Sequence, residues 1–519
     1  MKLIAVFVLF CVANAKAYKI LGVFPVKMKS HFYVGNALME GLARAGHDVT
    51  VISPFHAENS YNNYKEVFLD ESPVENSVDY TNDNFMEYNN KFFWDIIMKW
   101  YDVGVEIARS ALSSPNFQNF LKIKQNFDVI IVEHSIEALF GLSHHFNAPL
   151  IVISPFAVSK WSTHLVGTPL FASYVPYMNN PFSNHMTLWQ RMYNSLTYWF
   201  EDVSMPLYLR PKHQKLMEKY FPNSKNWPSL EIIKRNVSLV LINTHVTYAT
   251  ALPLAPNMIE VGGMHIKQSP EPLSQKTQDF LDQAKDGAIY MSLGSNVLFN
   301  KLPKHKKDAI LNAFSAYPNM RILIKSDEKI VIPSHKEADV TVESWFSQQS
   351  ILAHHNLKIF ITHGGLLSII EAVYYGKPVI GISVFGDQHM NMQVVENKGY
   401  GLNIPIEKLN SENIKSAIGA IVQDTRYENQ ANLTSKRYRD LLKSPLETAI
   451  HWVEHVAKNK GAPHLKCAAV DLPFYVLYNL DVWFLLAVTG FSIVLVLKYI
   501  IHKIISMFTY NDKIKIKTR

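Results

Sequence analysis

Cysteine is almost absent: the 519 residues hold two, Cys11 and Cys467. Cys11 falls in a stretch that reads as a cleaved leader, which leaves Cys467 alone and excludes an intramolecular disulfide. A large core must carry the stability, and the length calls for two domains or more. Low-complexity blocks and short internal repeats are missing, and an apolar fraction of 48% marks a globular chain. No His, Cys, Asp or Glu cluster has metal-ligand spacing. The adjacent pairs His144-His145 and His354-His355 read as surface or packing residues. Excess charge is missing from the body as well. Two leader lysines, Lys498 and a net four positive charges after residue 501 account for the whole formal +7. A pI of about 8.9 is therefore no sign of a nucleic-acid partner.

Both ends are apolar. The N-terminus, MKLIAVFVLFCVANAKAYKI, has Lys2 ahead of the Leu3–Val12 run. Ala13-Asn14-Ala15 or Ala15-Lys16-Ala17 offers a small-residue cleavage site, and residues 1–17 read as a signal peptide. Val482 to Leu497 is apolar throughout, and Lys498 can snorkel. Residues 482–501 therefore read as a transmembrane helix. Residues 502–519 carry five Lys/Arg against one Asp. By the positive-inside rule they form a cytosolic tail, and the rest of the mature chain is lumenal: a single-pass type I protein. Lys515 and Lys517 resemble a dilysine retrieval signal for the endoplasmic reticulum membrane. Asn236-Val237-Ser238 and Asn432-Leu433-Thr434 are glycosylation acceptors in that location.

Within the body, strands alternate with helices. Apolar strands are expected at 18–24, 47–52, 127–132 and 149–153, with a helix from His31 to Ala45. A second series is expected at 287–293, 320–324, 357–361 and 378–382. The proline- and glycine-rich stretch 253–272 reads as a linker between an N-terminal domain, 18–252, and a C-terminal domain, 273–470. The fold class is α/β, two doubly wound Rossmann-like domains facing a cleft, with ligands at the carboxyl ends of the strands.

Polar groups stand at those ends. After the 287–293 strand come Gly294 and Ser295, whose backbone N–H groups and hydroxyl suit a diphosphate oxygen. Trp345 and Gln348 could stack on and hydrogen-bond a base, or be core and cap. In FITHGGLLSIIEAVYYGKPVIG, His363, Gly364 and Gly365 separate an apolar run from a helical pattern bearing Ser368 and Glu371. This is either a plain β-turn-α junction or an anion site at a helix N-terminus, with the positive end of His363 facing the charge and Glu371 placed to accept from ribose hydroxyls. Asp387 and Gln388 end the next strand and suit sugar hydroxyls. His31, in MKSHFYVGNAL, is either a helix cap or a general base.

From Trp345 to Gln388, in this order and spacing, these residues strongly resemble the UDP-glycosyltransferase signature. VISPF (residues 51–55) and EVGGMHI (260–266) are similar to insect members of its animal membrane-bound branch. The resemblance implies a GT-B fold, an acceptor-binding N-terminal domain and a UDP-sugar-binding C-terminal domain. It also implies inverting transfer of glucose or glucuronate to a small lipophilic acceptor, without metal or cofactor, the UDP-sugar being a co-substrate; a homo-oligomer is compatible with it. His31 takes the place of the family's catalytic histidine. Glu133 stands where the family usually has an aspartate to orient it. Lys325 matches a basic residue that many relatives place after that strand. Ser347 replaces the usual proline, and Leu367 replaces a frequent asparagine. The alternative is a catalytically inactive membrane-anchored binding protein that retains the fold. A phosphorylase of similar architecture would need a pyridoxal-lysine signature, which is missing. The aromatic stretch Trp161–Trp227 reads as an apolar pocket, a membrane-facing surface or plain helix packing.

Overall fold

The computed structural model describes residues 17–69, 91–295, 297–328, 330 and 339–517, with side chains as far as Met507. The expected leader up to Lys16, Arg519 and the side chains of Lys515 and Lys517 lie outside the described residues.

Two parallel sheets form the body. The first runs in the order β3 (Tyr64–Phe68), β2 (Asp48–Ser53), β1 (Lys19–Val23), β4 (Val129–Glu133), β5 (Leu150–Ser154), β6 (Val237–Ile242) and β7 (Met258–Glu260). The second runs β10 (Val340–Glu343), β9 (Arg321–Lys325), β8 (Ala288–Ser292), β11 (Leu357–Thr362), β12 (Val379–Gly381) and β13 (Gly401–Asn403). Their central strands are continuous apolar runs because helices cover both faces. In β4, Ile130 and Val132 enter one core while Val129 and Ile131 enter the core on the opposite side. The second sheet is likewise packed between two cores.

Two stretches differ from the sequence reading. Residues 253–272 do more than connect, since β7 lies among them and pairs in parallel with β6. The Pro445–Asn459 helix, late in the expected C-terminal domain, packs on the first sheet's core through Ala449, Val453 and Val456. Its Glu454 reaches Nε2 of His47 at 3.1 Å. Apolar spacing tells that a helix has a buried face, not which core receives it.

The chain divides into two compact units after Cys467. In the second, one helix runs from Leu480 to Lys517 with no break at Ile501, so the expected span and tail form a single element. Leu480–Met507 is long and apolar enough to cross a membrane.

Candidate active site

The first sheet brings together the two residues expected to do acid–base work. β1 and β4 are parallel neighbours, with Val23 opposite Val132. The loop after β1 leads into the Lys29–Arg44 helix, whose first turn carries His31; Glu133 is the last residue of β4. Although 102 residues apart, His31 Nδ1 and Glu133 Oε1 stand 2.5 Å from each other. The Glu133 side chain is buried, and the His31 ring lies edge-on to Phe156 at 4.9 Å. The extra methylene of glutamate therefore does not prevent the contact. With Nδ1–H donating to the carboxylate, Nε2 keeps its lone pair and can accept a proton.

The second sheet supplies the facing wall. His363 ends the β11 crossing and is wedged between two glycines. A Cβ on Gly294 (φ +83°) would come within 2.5 Å of ring carbon Cε1, and one on Gly365 would strike Nε2. Burial, with Lys325 nearby, pushes the His363 imidazole down to about 4. The ring is therefore held in its neutral form near pH 7, and the positive end of the sequence reading is an N–H. Positive charge comes from lysines. Lys325 Nζ donates to the Gly294 carbonyl at 3.1 Å and lies 4.7 Å from the centre of the Trp345 ring. Lys29 Nζ approaches the same ring to 5.3 Å from the opposite half. Trp345 remains 51% exposed, a face open to stacking.

Glu371 is already engaged by protein. Gln348 Nε2 donates to one carboxylate oxygen at 2.5 Å and Gln349 Nε2 to the other at 3.1 Å. A carboxylate offers about four lone-pair sites, so two hydroxyls can still be accepted. Gln348 also donates to Ser368 Oγ at 3.3 Å and accepts from the Tyr290 hydroxyl at 3.4 Å. It thus braces Glu371. Gln388 Oε1 accepts from the N–H groups of Val384 and Phe385, which leaves its amide nitrogen to serve a sugar hydroxyl. Asp387 accepts from Asn391 at 2.9 Å. Burial raises its carboxyl above the ordinary range, against the effects of Asn391 and His31.

The predicted catalytic and donor-site residues, Gly364 excepted, line one cavity of about 650 Å³ between the two sheets. Gly364 (φ +83°) backs it, its carbonyl accepting from Asn391 at 3.1 Å. The sequence reading missed His134 and His265, which line the same cavity, and Lys29, which approaches the Trp345 ring. Lys29 and His265 lie within the quoted MKSH and EVGGMHI stretches, so their motifs carried the signal. Burial, with His31 and His164 near, pushes His134 down to about 3. The paired histidines have packing roles: His144 sits 4.7 Å from Trp227, and His354 bonds Asp282 at 3.0 Å. Among the described residues no group of three or more His, Cys, Asp or Glu is placed to hold a metal ion. Of the glycosylation acceptors, Asn236 is exposed just before β6 and Asn432 is exposed on the Thr425–Arg439 helix.

Two Rossmann-like sheets facing a shared cavity of this kind define a glycosyltransferase of the GT-B fold. Solved structures agree. A UDP-glucosyltransferase from Polygonum tinctorium superposes with a TM-score of 0.58 at 14% identity, over 86% of this chain and 99% of that one. An anthocyanidin 3-O-glucosyltransferase in complex with UDP gives 0.57, also at 14% identity, over 86% and 99%. Residues 19–519 match the family model described as "UDP-glucoronosyl and UDP-glucosyl transferase". UDP-glycosyltransferase UGT5 of Dactylopius coccus is 35% identical over 94% of this chain and 92% of its own. UDP-glucuronosyltransferase 2B13 of Oryctolagus cuniculus is 26% identical over 94% and 93%. The chain belongs to the UDP-glycosyltransferase family and is a UDP-glycosyltransferase enzyme.

Proposed function

We propose that this enzyme transfers a hexose, glucose or glucuronate, from its UDP-sugar to a hydroxyl of a small lipophilic acceptor, by a single inverting displacement that needs no metal. The observation that carries the reading is the His31–Glu133 pair, 2.5 Å apart in the cavity that also holds the donor-side residues. His31 Nε2 takes the acceptor's proton as its oxygen attacks C1. The C1–O bond to the diphosphate breaks on the opposite face, and UDP leaves with the bonding electrons. Glu133 holds the imidazolium that forms. Lys325, Lys29 and the His363 N–H face the departing charge. Trp345 stacks on the base and Glu371 accepts from the ribose. Asp387 and the Gln388 amide read the sugar, and Gly294, Ser295, Gly365 and Ser368 line the phosphate path, with Gly364 behind them. The apolar side, with Trp161 and Phe156, suits a phenol, terpenoid or steroid, in detoxification or in hormone or pigment conjugation.

The test is transfer from UDP-glucose and UDP-glucuronate to a panel of phenols on membranes containing the full chain, with and without chelator. The product's anomeric configuration is read by NMR. A retained configuration, or activity lost to chelator and restored by metal, overturns the mechanism. UDP-sugar that binds but is neither hydrolysed nor transferred favours the binding-protein alternative.

In the cell, we place the body in the lumen of the endoplasmic reticulum, delivered by residues 1–17, anchored by the C-terminal helix and glycosylated at Asn236 and Asn432. Replacing Lys515 and Lys517 by serine should release the protein to later compartments. Unchanged glycan processing refutes the retrieval reading.

A further inference from the structure

The Leu188–Ser204 helix is inside out. Its buried face is largely polar: Asn194, Thr197 and Glu201, with Tyr198. The Asn194 side chain is fully used there, accepting from Tyr177 N and Asn180 Nδ2 and donating to the carbonyls of Ala172 and Val175. The outer face carries Leu188, Trp189, Met192, Leu196, Trp199 and Val203, and Leu207 extends it past the helix end. At about 100° per residue these seven fall within an arc of roughly 100° that contains no charged or polar residue. The stripe is roughly 29 Å long. Trp189 is 72% exposed, Trp199 62% and Leu207 75%. Beside it, exposed Phe92 and Trp94 stack at 4.6 Å, and Phe93 between them packs edge-on to Tyr193 and Phe200 of the helix. So large an exposed apolar surface on a polar-cored helix marks a contact surface.

We infer that this face lies in the interfacial layer of a phospholipid bilayer, as a second membrane contact besides the C-terminal helix. Two observations favour lipid as the occupant. The same chain ends in an apolar helix long enough to span, so the inference rests on the anchored reading and the body works beside a bilayer. Trp189 and Trp199 give the stripe the amphipathic rings that settle at headgroup depth, with Leu, Met and Val between them. The helix also braces the acceptor side, because Tyr177, tied to Asn194, lines the cavity.

The test uses the full chain with Cys467→Ser. Single cysteines at Met192, Leu196 or Val203 are labelled with an environment-sensitive fluorophore and reconstituted into phosphatidylcholine–phosphatidylserine vesicles containing a shallow nitroxide lipid. Lys436→Cys, on the exposed face of another helix, is the aqueous control, and Thr489→Cys reports the span. The expected result is about twofold quenching with a blue shift at 192, 196 and 203, and none at 436. Water-like emission at all three with quenching at 489 overturns the inference while the anchor stands. Loss of quenching at 489 overturns the anchor instead. Apolar but lipid-insensitive labels, with concentration-dependent cross-linking of the Leu196→Cys variant to itself, assign the face to a second copy and overturn the inference.

Discussion

Glu133→Gln keeps the volume of the side chain and removes only its charge. In the wild type the carboxylate accepts from His31 Nδ1 at 2.5 Å in a buried setting. A hydrogen bond to a charged group is worth about 1.5–3 kcal/mol, which is roughly 10- to 150-fold in rate when the imidazolium exists only at the transition state. The tautomer adds to this. The glutamine amide can present an N–H to Nδ1, moving the ring proton to Nε2 and leaving no lone pair for the acceptor. The expected fall in kcat is therefore on the order of 10²- to 10³-fold, while UDP binding, made on the other sheet, changes less than about twofold. Initial rates with a phenol acceptor, paired with calorimetric titration of UDP, separate the two effects. Activity within about threefold of wild type would refute the triad reasoning, and an equal loss of UDP affinity would show that the variant disturbs the whole cleft.

His31→Ala should reduce transfer on the order of 10²- to 10⁴-fold with UDP binding retained; turnover close to wild type would remove the general base from the mechanism. Glu371→Ala should weaken UDP at least about tenfold, equally for glucose and glucuronate donors, since it loses hydrogen bonds to the nucleoside half; normal calorimetric binding by a folded variant would return the helix after His363 to plain packing. Lys29→Ala should weaken UDP by roughly three- to tenfold at low salt but leave uridine untouched, and the effect should shrink as salt is raised. His363 and His134 are pushed to about 4 and about 3, chiefly by burial, so the unfolded chain binds their protons first as pH falls. Their neutral burial gives stability that is complete above about 6.5 and is lost below it, up to about 1.4 kcal/mol per pH unit for each; melting curves that stay flat from pH 7 to 5 would contradict this.

The sheets were legible where strands are long apolar runs: FDVIIV, GAIYMSL and the start of FITHGG each lie in a central strand. Edge strands escaped because half their residues face water, as in YKEVF of β3 and VTVE of β10. VSLVLI of β6 is wholly buried and still escaped, although it is as apolar as the strands that were found. The site was legible as a set of strand-end residues, since parallel topology delivers such ends to one cleft. Their partners were not, because pairing across the cleft or along a turn has no sequence period. Gln348 on Glu371, Gln388 on its own turn and Lys29 over Trp345 are of this kind.

The Pro445–Asn459 helix fixes an order of manufacture. Leu241 and Ala449 belong to one core, yet roughly 200 residues lie between them, some 10–40 s of synthesis at about 5–20 residues per second. Throughout that interval Leu38, Leu42 and the face of Gly41 that meets Leu446 and Ile450 lack their cover, so the half of the enzyme that is made first is finished last. A nascent chain stalled before residue 445 presents a bare apolar groove to chaperones, and one released there cannot close the core of its first sheet at all.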